Sequence, residues 1–227
     1  RAATVDATFA ANGDPETSLS RALEELRVRA SRAVDDGCSI LVVSDRGAAQ
    51  DRVPIPSLLA ISAVHHHLIR EGTRVRVGLI AETGDAREVA DIALLIGFGA
   101  GAVNPYMAFE TIGELTRAKL LDGANAPHDV ATASKNYVKA LKKGLLKVMS
   151  KMGISTIASY HGAQIFEAIG IAKPVIDEYF PGTSSPLGGI GLAEIALEAR
   201  ARHLSGFAAE VTLDELERDL DVGGVYA

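Results

Sequence analysis

Polar side chains that could carry chemistry follow the ends of three apolar, strand-like runs. The run "SILVVSD" is followed by Arg46, the run "RVRVGLIAE" ends on Glu82, and a third run ends in "NPY". The carboxyl ends of parallel strands meet at one edge of a sheet, where such folds bind ligands. The candidates for a rim, tunnel or interface at this edge are Ser44, Asp45, Arg46, Glu82, Asn104 and Tyr106.

The sequence leaves two interpretations open for these residues. Arg46 could hold a carboxylate or a phosphate, whereas Asp45 could instead pair with an arginine and cap a turn. Glu82 could act as an acid or base, or it could anchor the backbone amides of the next helix. No spacing of residues in the sequence indicates a catalytic Ser–His–Asp set, Cys–His pair or carboxylate pair. We therefore assign no catalytic residue.

Three consecutive histidines, His65–His67, lie inside the apolar run "PSLLAISAVHHHLIREG". The run predicts a helix that ends at Gly72. Two metal ligands on one helix need a spacing of three or four residues, because adjacent side chains diverge by about 100°. We assign no metal site here. His66 is expected to be solvated, and His65 or His67 to hydrogen-bond a neighbouring segment or domain.

Two other patterns have structural interpretations. "GFGAGAVNPY" contains G-x-G-x-G, but its glycines close a helix and precede a strand, which reverses the phosphate-binding order. These glycines therefore predict a helix end and a tight turn. The helix "KALKKGLLKVMSKMG" carries most of its lysines on one face, which is typical of a solvated surface. The alternative is a surface for an acidic partner domain or a phosphate-bearing cofactor.

Composition excludes several classes of protein. Hydrophobic residues make up 48% of the 227 residues, with 5% aromatics and no Trp, so an aliphatic core is expected. The net charge of -6 argues against nucleic acid or an anionic membrane as partner. Cys38, the only cysteine, excludes an internal disulfide or an iron–sulfur cluster held by this chain alone. With no apolar run near about 20 residues and no visible signal peptide, we expect a cytoplasmic protein.

Strand-like runs alternate with helical periods, which is the pattern of βαβ units. The predicted class is α/β, with a parallel sheet of about five strands that is open or forms an incomplete (β/α) barrel, since a closed one needs about eight. The expected strands are "AATVDATFA", "SILVVSD", "RVRVGLIAE", "AGAVNPY" and "ISTIAS". "IFEAIGI" is expected as a short helix, and "RGAAQDRVPIP" and "PGTSSPLGGIG" as loops. Residues 1–206 would form the α/β domain and residues 207–227 a C-terminal segment or linker.

Three long stretches together resemble one family: "SDRGAAQDRVPIPSLLAISAVHHHLIREG", "AREVADIALLIGFGAGAVNPYMAFETI" and "SKMGISTIASYHGAQIFEAIGI". They are similar, in order, to the central region of the glutamate synthase large subunit. The resemblance runs from about Ala3 to at least Gly191. The tail "LDVGGVYA" resembles the junction that leads to a flavin domain. Because the chain starts at Arg1 within a strand-like run, we expect it to be a piece of a longer protein.

The resemblance implies an oxidoreductase of glutamate biosynthesis and nitrogen assimilation, which makes L-glutamate from L-glutamine and 2-oxoglutarate. In this family an amidotransferase domain precedes the central domain, and a (β/α)₈ domain with FMN and a 3Fe–4S cluster follows it. Ammonia passes between the two active sites. This chain lacks the N-terminal cysteine nucleophile and the three-cysteine cluster motif. FMN and the cluster are therefore expected outside it, and the chain alone is expected to be inactive.

The resemblance also implies partners, namely the neighbouring amidotransferase and FMN domains and a possible small subunit of the parent. It places "SKMGISTIASYHGAQ" near the flavin domain, so that Lys151, Tyr160, His161 and Gln164 are candidates for a domain junction. One hypothesis is a scaffold that couples two active sites and helps to wall the ammonia path. The alternative is a self-contained small-ligand or flavin-binding domain with its site at the strand rim.

Overall fold

A computed structural model describes residues 1–121, 127 and 129–207 of the chain. Apart from Phe207, the predicted C-terminal segment 207–227 lies outside the described residues. The first half contains β1 (Ala2–Asp6), β2 (Thr8–Ala10), α1 (Pro15–Asp35), β3 (Ile40–Ser44), β4 (Arg52–Pro54), α2 (Ser57–Arg70), β5 (Gly78–Glu82), α3 (Val89–Gly97) and β6 (Ala102–Asn104). The second half contains α4 (Tyr106–Arg117), α5 (Val130–Lys151), α6 (Ile157–Tyr160), β7 (Glu167–Ile171), α7 (Lys173–Tyr179), β8 (Ser184–Ile190) and α8 (Leu192–Gly206).

A parallel four-stranded sheet organises the first half, with the strand order β1-β3-β5-β6. Its strands are therefore adjacent in the order in which they occur along the chain, and α1, α2 and α3 connect them. The sheet does not close into a barrel among the described residues. The α/β class and the open parallel sheet are confirmed, and the first four predicted strands supply its members.

An aliphatic core fills the space between this sheet and its helices, as the composition predicts. The buried face of α1 includes Leu19, Leu23 and Leu26, and each is fully buried. The start of α1 is stabilised because the Asp14 carboxylate accepts a 2.9 Å hydrogen bond from the Thr17 backbone N–H. Within the sheet, Leu41 and Leu79 are paired in register and are also fully buried.

The segment "AATVDATFA" forms two short strands instead of one. Strand β1 joins the parallel sheet, whereas β2 pairs antiparallel with β4, which lies in the stretch expected as a loop. The pairing places Phe9 opposite Val53, and both side chains are fully buried. Burial of this pair explains why a polar, Gly- and Pro-containing stretch contributes a strand.

The second half differs most from the prediction. The prediction of "ISTIAS" as a fifth strand is wrong, because its last three residues belong to α6. The start of α6 is capped by Thr156, whose hydroxyl oxygen accepts a 3.3 Å hydrogen bond from the Ser159 backbone N–H. Two further predictions are wrong. The segment "IFEAIGI", expected as a helix, contains β7, and the segment "PGTSSPLGGIG", expected as a loop, contains β8. The two strands pair in parallel. Gly170 has a φ of 76°, which a helix cannot contain. A Cβ at Gly189 would lie 2.1 Å from the Gly170 carbonyl oxygen, so close contact between glycines permits this pairing.

Candidate functional site

A row of polar residues crosses the carboxyl edge of the main sheet. Asp6 pairs in register with Ser44, Ser44 with Glu82, and Glu82 with Asn104. One residue at the end of each strand therefore lies in a single transverse line. Ser44, Glu82 and Asn104 were predicted from the strand ends. Asp6 was missed because "AATVDATFA" was expected to form one strand, which placed Asp6 within the strand and not at its end.

Glu82 is the centre of the predicted rim. Its carboxylate accepts hydrogen bonds from Ser44 Oγ at 2.6 Å, Arg46 Nε at 2.9 Å and Asn104 Nδ2 at 3.2 Å. The bond from Ser44 lowers the pKa of Glu82 most, and the bonds from Arg46 and Asn104 lower it further against the effect of partial burial. Glu82 is therefore an ionised anchor for three neighbours. Its lowered pKa does not suit a general base at neutral pH.

Arg46 lies over the ring of Tyr106, with 4.0 Å between its guanidinium carbon and the ring centroid. Its Nη1 also lies 3.4 Å from the carboxylate of Glu110. Tyr106 and Glu110 are four residues apart on α4, so that both reach the same guanidinium from one helix face. Glu110 was not predicted. The four-residue spacing between Tyr106 and Glu110 was the only sequence signal for Glu110. It can be used only when one already knows that a helix begins with Tyr106 at the rim.

Asp45 is nearly fully buried, with a relative exposure of 3%. Its carboxylate accepts hydrogen bonds from the Thr83 hydroxyl at 3.0 Å, from the Gly84 backbone N–H at 2.9 Å and from the hydroxyl of Tyr106. Burial raises the pKa of Asp45, and the three hydrogen bonds only partly offset that effect. A Cβ at Gly84 would lie 3.2 Å from the Tyr106 hydroxyl oxygen. The glycine therefore leaves room for the tyrosine at this carboxylate.

These contacts differ from the structural roles considered for two rim residues. Among the described residues, Asp45 pairs with no arginine; it holds the β5–α3 loop through Thr83 and Gly84. Glu82 does not anchor the amides of the next helix; it binds side chains from β3, from the turn that follows it and from β6. Both carboxylates join neighbouring strand ends.

A second cluster surrounds Asp6 at the outer edge of the sheet. Asp6 accepts a 2.8 Å hydrogen bond from Arg52 Nη2 and a 2.9 Å bond from the Thr8 hydroxyl. Arg52 Nε also donates to the Thr8 hydroxyl oxygen at 2.9 Å. A Cβ at Gly47 would lie 3.0 Å from Asp6 Oδ1, so the turn after β3 passes close to this carboxylate. The cluster joins β1, β2 and β4 and was not predicted.

The histidine triplet contributes to packing away from the rim. His65 Nδ1 accepts a 2.8 Å hydrogen bond from Arg74 Nε, and His67 Nε2 lies 2.8 Å from Ser31 Oγ on α1. Both contacts agree with the predicted bonding to neighbouring segments. The expected solvation of His66 is wrong, because its ring is half-buried against His65, and burial lowers the pKa of His66 to about 4. Among residues 1–121, 127 and 129–207, no group of three or more His, Cys, Asp or Glu side chains is placed to hold a metal ion.

The four predicted junction residues do not join the rim. Lys151 and Gln164 are exposed. Tyr160 is fully buried by this chain and donates a 3.1 Å hydrogen bond to the Ala93 carbonyl, so its side chain offers no surface to another domain. His161 is half-buried, and within the described part of the chain its Nε2 atom is buried without a hydrogen-bond partner.

Exposed apolar side chains mark a different face of the molecule. Ile169 and Leu187 pair in register on the two-stranded β7–β8 sheet and are 68% and 61% exposed. A separate apolar cavity of about 400 Å³ lies beside this sheet, between it and α2, α3, α7 and α8. Leu59, Leu94 and Phe98 line its inner wall. No pattern in the sequence predicted this face.

The residues of this chain do not fit the cofactors that the resemblance implies for the parent. An iron–sulfur cluster needs several thiolates, whereas Cys38 is the only cysteine and is buried. The glycines of "GFGAGAVNPY" follow α3 and lead into β6, as predicted, so they do not open a helix toward a flavin phosphate. No described helix combines the length and the apolar character needed to span a membrane.

Comparison with known proteins agrees with these observations. Residues 1–172 match the family model described as the glutamate synthase central domain. The chain is 45% identical over 208 residues to "Glutamate synthase [NADPH] large chain" of Bacillus subtilis (strain 168), covering 92% of this chain and 13% of that protein. It is 44% identical over 196 residues to "Glutamate synthase [NADH]" of Saccharomyces cerevisiae, covering 85% of this chain and 9% of that protein.

A third relative, "Glutamate synthase [NADPH] large chain" of Azospirillum brasilense, is 40% identical over 225 residues, which cover 99% of this chain and 14% of that protein. Other relatives are named as ferredoxin-dependent glutamate synthases. The chain thus spans between 9% and 14% of the length of these three relatives. The family model covers most of the chain, and the chain belongs to the glutamate synthase central domain family.

Proposed function

We propose that the chain is a coupling domain without an active site of its own. In the parent glutamate synthase it would link an amidotransferase domain to an FMN- and cluster-containing synthase domain and form part of the wall of the ammonia path. Cytoplasmic localisation and association with a small subunit belong to the same proposal. They rest on the family membership alone.

The hydrogen bonding of the two rim carboxylates to neighbouring residues of the chain is the observation that carries this proposal. Glu82 accepts bonds from three side chains, and Asp45 accepts bonds from two side chains and one backbone amide. A catalytic carboxylate needs an open position and a pKa suited to proton transfer. These two carboxylates instead connect β3, β5, β6 and α4. Such a network suits a rigid edge on which neighbouring domains are positioned.

The β7–β8 face supports the same proposal from another side. A two-stranded sheet is marginally stable in water when its face is uncovered. Ile169 and Leu187 expose apolar surface opposite each other on such a sheet. Surfaces of this kind are typical of contacts with another domain. Because the curated relatives are much longer than this chain, the occupant that fits this face is another domain of the same polypeptide.

Substitution of Arg46 by Ala in the full-length parent tests the coupling role. Arg46 joins Glu82, Glu110 and the Tyr106 ring, so its loss should loosen the rim without touching a neighbouring active site. We expect glutamine-dependent glutamate formation to fall by roughly fivefold or more, while ammonia-dependent formation is retained. Arg21→Ala is the matched control, because Arg21 is an exposed arginine whose ion pair within the described part of the chain is with Glu25 on the same helix. Equal loss of both activities in Arg46→Ala would contradict a coupling role.

The alternative is a self-contained ligand site at the rim. The observation that favours it is the exposure of Arg46, whose side chain is 47% accessible beside the 60% accessible Glu110. Calorimetric titration of the chain with FMN, glutamate and 2-oxoglutarate distinguishes the two functions. The coupling proposal predicts no binding heat from any of them. Saturable heat that disappears in Arg46→Ala would favour the ligand site instead.

A further inference from the structure

Helix α5 carries an unusual row of positive charge. Five lysines follow one another at a spacing of four residues, which places them on a stripe that rises roughly 24 Å and turns by about 40° around the helix from one lysine to the next. Lys142 adds a sixth positive charge beside the row. All six side chains are exposed. The lysines of the row are Lys135, Lys139, Lys143, Lys147 and Lys151.

No acidic residue relieves this repulsion within the helix, since α5 contains neither Asp nor Glu. Within the described part of the chain, none of its lysines forms an ion pair. Two other helices differ: Arg21 pairs with Glu25 on α1, and Lys173 pairs with Asp177 on α7. Lysines four residues apart on a helix weaken it slightly. Helix α5 keeps this repulsion between lysines although the chain as a whole has a net charge of -6.

The side of α5 next to the lysine row is fixed to its neighbours in the domain. Gly144 lies against Val89 of α3, where a Cβ would approach a Val89 methyl carbon to 2.2 Å. The Tyr137 hydroxyl donates a 2.8 Å hydrogen bond to the Arg87 carbonyl. The lysine row therefore faces outward on a firmly held helix. Leu146 lies among these lysines on the same outward side and is 63% exposed.

A basic row that contains one exposed leucine favours an acidic protein surface as its partner. A membrane would require the apolar face of α5, which is already packed on α3 and α4. Nucleic acid binding normally adds aromatic side chains for stacking, and the outward side of α5 has none. An acidic protein helix with carboxylates four residues apart would match both the spacing of the lysines and the apolar contact at Leu146.

We propose that the lysine row of α5 is the docking surface for an acidic face of another domain of the same parent polypeptide. The proposal rests on the proposed function, which places this chain within a longer protein. Within one polypeptide the partner face is present at high effective concentration, so a row of weak ion pairs suffices. The apolar contact at Leu146 would set the position of the partner along the row.

Amine labelling and zero-length cross-linking of the full-length parent test this surface. Lys143 and Lys147 should react with an acetylating reagent roughly fivefold more slowly in the parent than in the separate chain. This protection should weaken between about 0.05 M and 1 M NaCl, because salt screens exposed charges. Carbodiimide should link these lysines to Asp or Glu residues of the same polypeptide beyond the 227 residues of this chain.

Charge variants provide the controls. Both double variants, Lys143→Glu with Lys147→Glu and Lys143→Gln with Lys147→Gln, remove the reactive amines at these positions, so the readout is the cross-linking of Lys139 and Lys151. Charge reversal should abolish these remaining cross-links by releasing the partner face, and the glutamine pair should weaken them if the charge-reversed protein does not fold. Lys119→Glu, outside α5, should leave them unchanged. The proposal would be overturned if these lysines were labelled at equal rates in the parent and in the separate chain. It would also be overturned if they were cross-linked only to a separate protein, or if only added anionic lipid vesicles protected them from labelling. If Arg46→Ala lost glutamine-dependent activity as expected but the lysines were unprotected, this docking surface would be ruled out while the coupling function would still stand.

Discussion

Ser44 Oγ donates a 2.6 Å hydrogen bond to Glu82 Oε2 between two neighbouring parallel strands. The two residues are paired in register at the carboxyl edge of the sheet. The same hydroxyl oxygen accepts a 3.2 Å bond from the Arg46 backbone N–H. Ser44 therefore joins the end of β3 both to β5 and to the turn that carries the arginine.

Replacing Ser44 by Ala should destabilise the chain by about 1–3 kcal/mol, because a buried hydrogen bond to a charged group is lost. Urea unfolding of the two proteins measures the difference. The control is Ser205→Ala, an exposed serine near the end of α8, for which we expect a change within about 0.5 kcal/mol. If Ser44→Ala were as neutral as this control, the rim network would not contribute to stability.

Tyr106→Phe tests the hydrogen bond to Asp45 separately from the stacking on Arg46. The phenylalanine keeps the ring below the guanidinium but removes a donor from a buried carboxylate. We expect a loss of about 1–2 kcal/mol. Since this bond lowers the pKa of Asp45, the variant should also raise that pKa further, as measured by NMR titration of the carboxyl carbon. An unchanged Asp45 pKa would contradict the assigned contact.

Gly99→Ala should be among the more damaging glycine substitutions. Gly99 has a φ of 112°, and a Cβ there would lie 2.2 Å from His65 Nδ1, the atom that accepts the bond from Arg74. Gly37→Ala is a matched control, with a φ of 79° but no atom within 4 Å of the added Cβ. We expect roughly 1 kcal/mol of backbone strain in the control and about 2–4 kcal/mol in Gly99→Ala. Equal losses in urea unfolding would show that the histidine contact does not matter.

Acidification should destabilise the chain through its buried histidines. Burial lowers the pKa of His65 to about 3 and that of His66 to about 4, from an ordinary value of 6.5. Below pH 6.5 the unfolded chain therefore binds protons that the folded chain does not, and the free energy of unfolding decreases until the folded-state pKa values are reached. We expect a loss on the order of 1–2 kcal/mol between pH 7.5 and pH 4.5, reduced by partial exposure of the rings.

His66→Gln checks the cause of this pH dependence. The variant removes one of the two titrating rings while keeping a polar side chain of moderate size. Its free energy of unfolding should therefore depend less steeply on pH between 7.5 and 4.5 than that of the original chain. Identical slopes would assign the acid sensitivity to other groups.

The rim could be predicted because it depends on a local rule. Ser44, Glu82 and Asn104 each end a strand, and parallel strands bring their carboxyl ends together, so their proximity follows without long-range information. Which partner each one binds could not be predicted. Glu110 reaches Arg46 only because α4 begins at the rim and directs one face toward it.

The second half was harder to predict because its structure depends on contacts distant in sequence. Strand β8 is rich in Gly and Ser, which disfavour strands. It pairs with β7 because Gly189 can lie against Gly170, a contact that no local pattern reveals. The histidine triplet was predictable in one respect from a local rule and unpredictable in another because of contacts distant in sequence. Its spacing excludes a shared metal ion, but the partners Arg74 and Ser31 come from other elements of the fold.

Isotope retention in the full-length parent tests the coupling proposal most directly. The enzyme would receive glutamine labelled with ¹⁵N at its amide, together with excess unlabelled ammonium and 2-oxoglutarate. Ammonia confined to an internal path should deliver the label to the new glutamate despite the excess, and Arg46→Ala should allow unlabelled nitrogen to enter. Retention of the label in Arg46→Ala to the same extent as in the parent would contradict a role for this domain in walling that path.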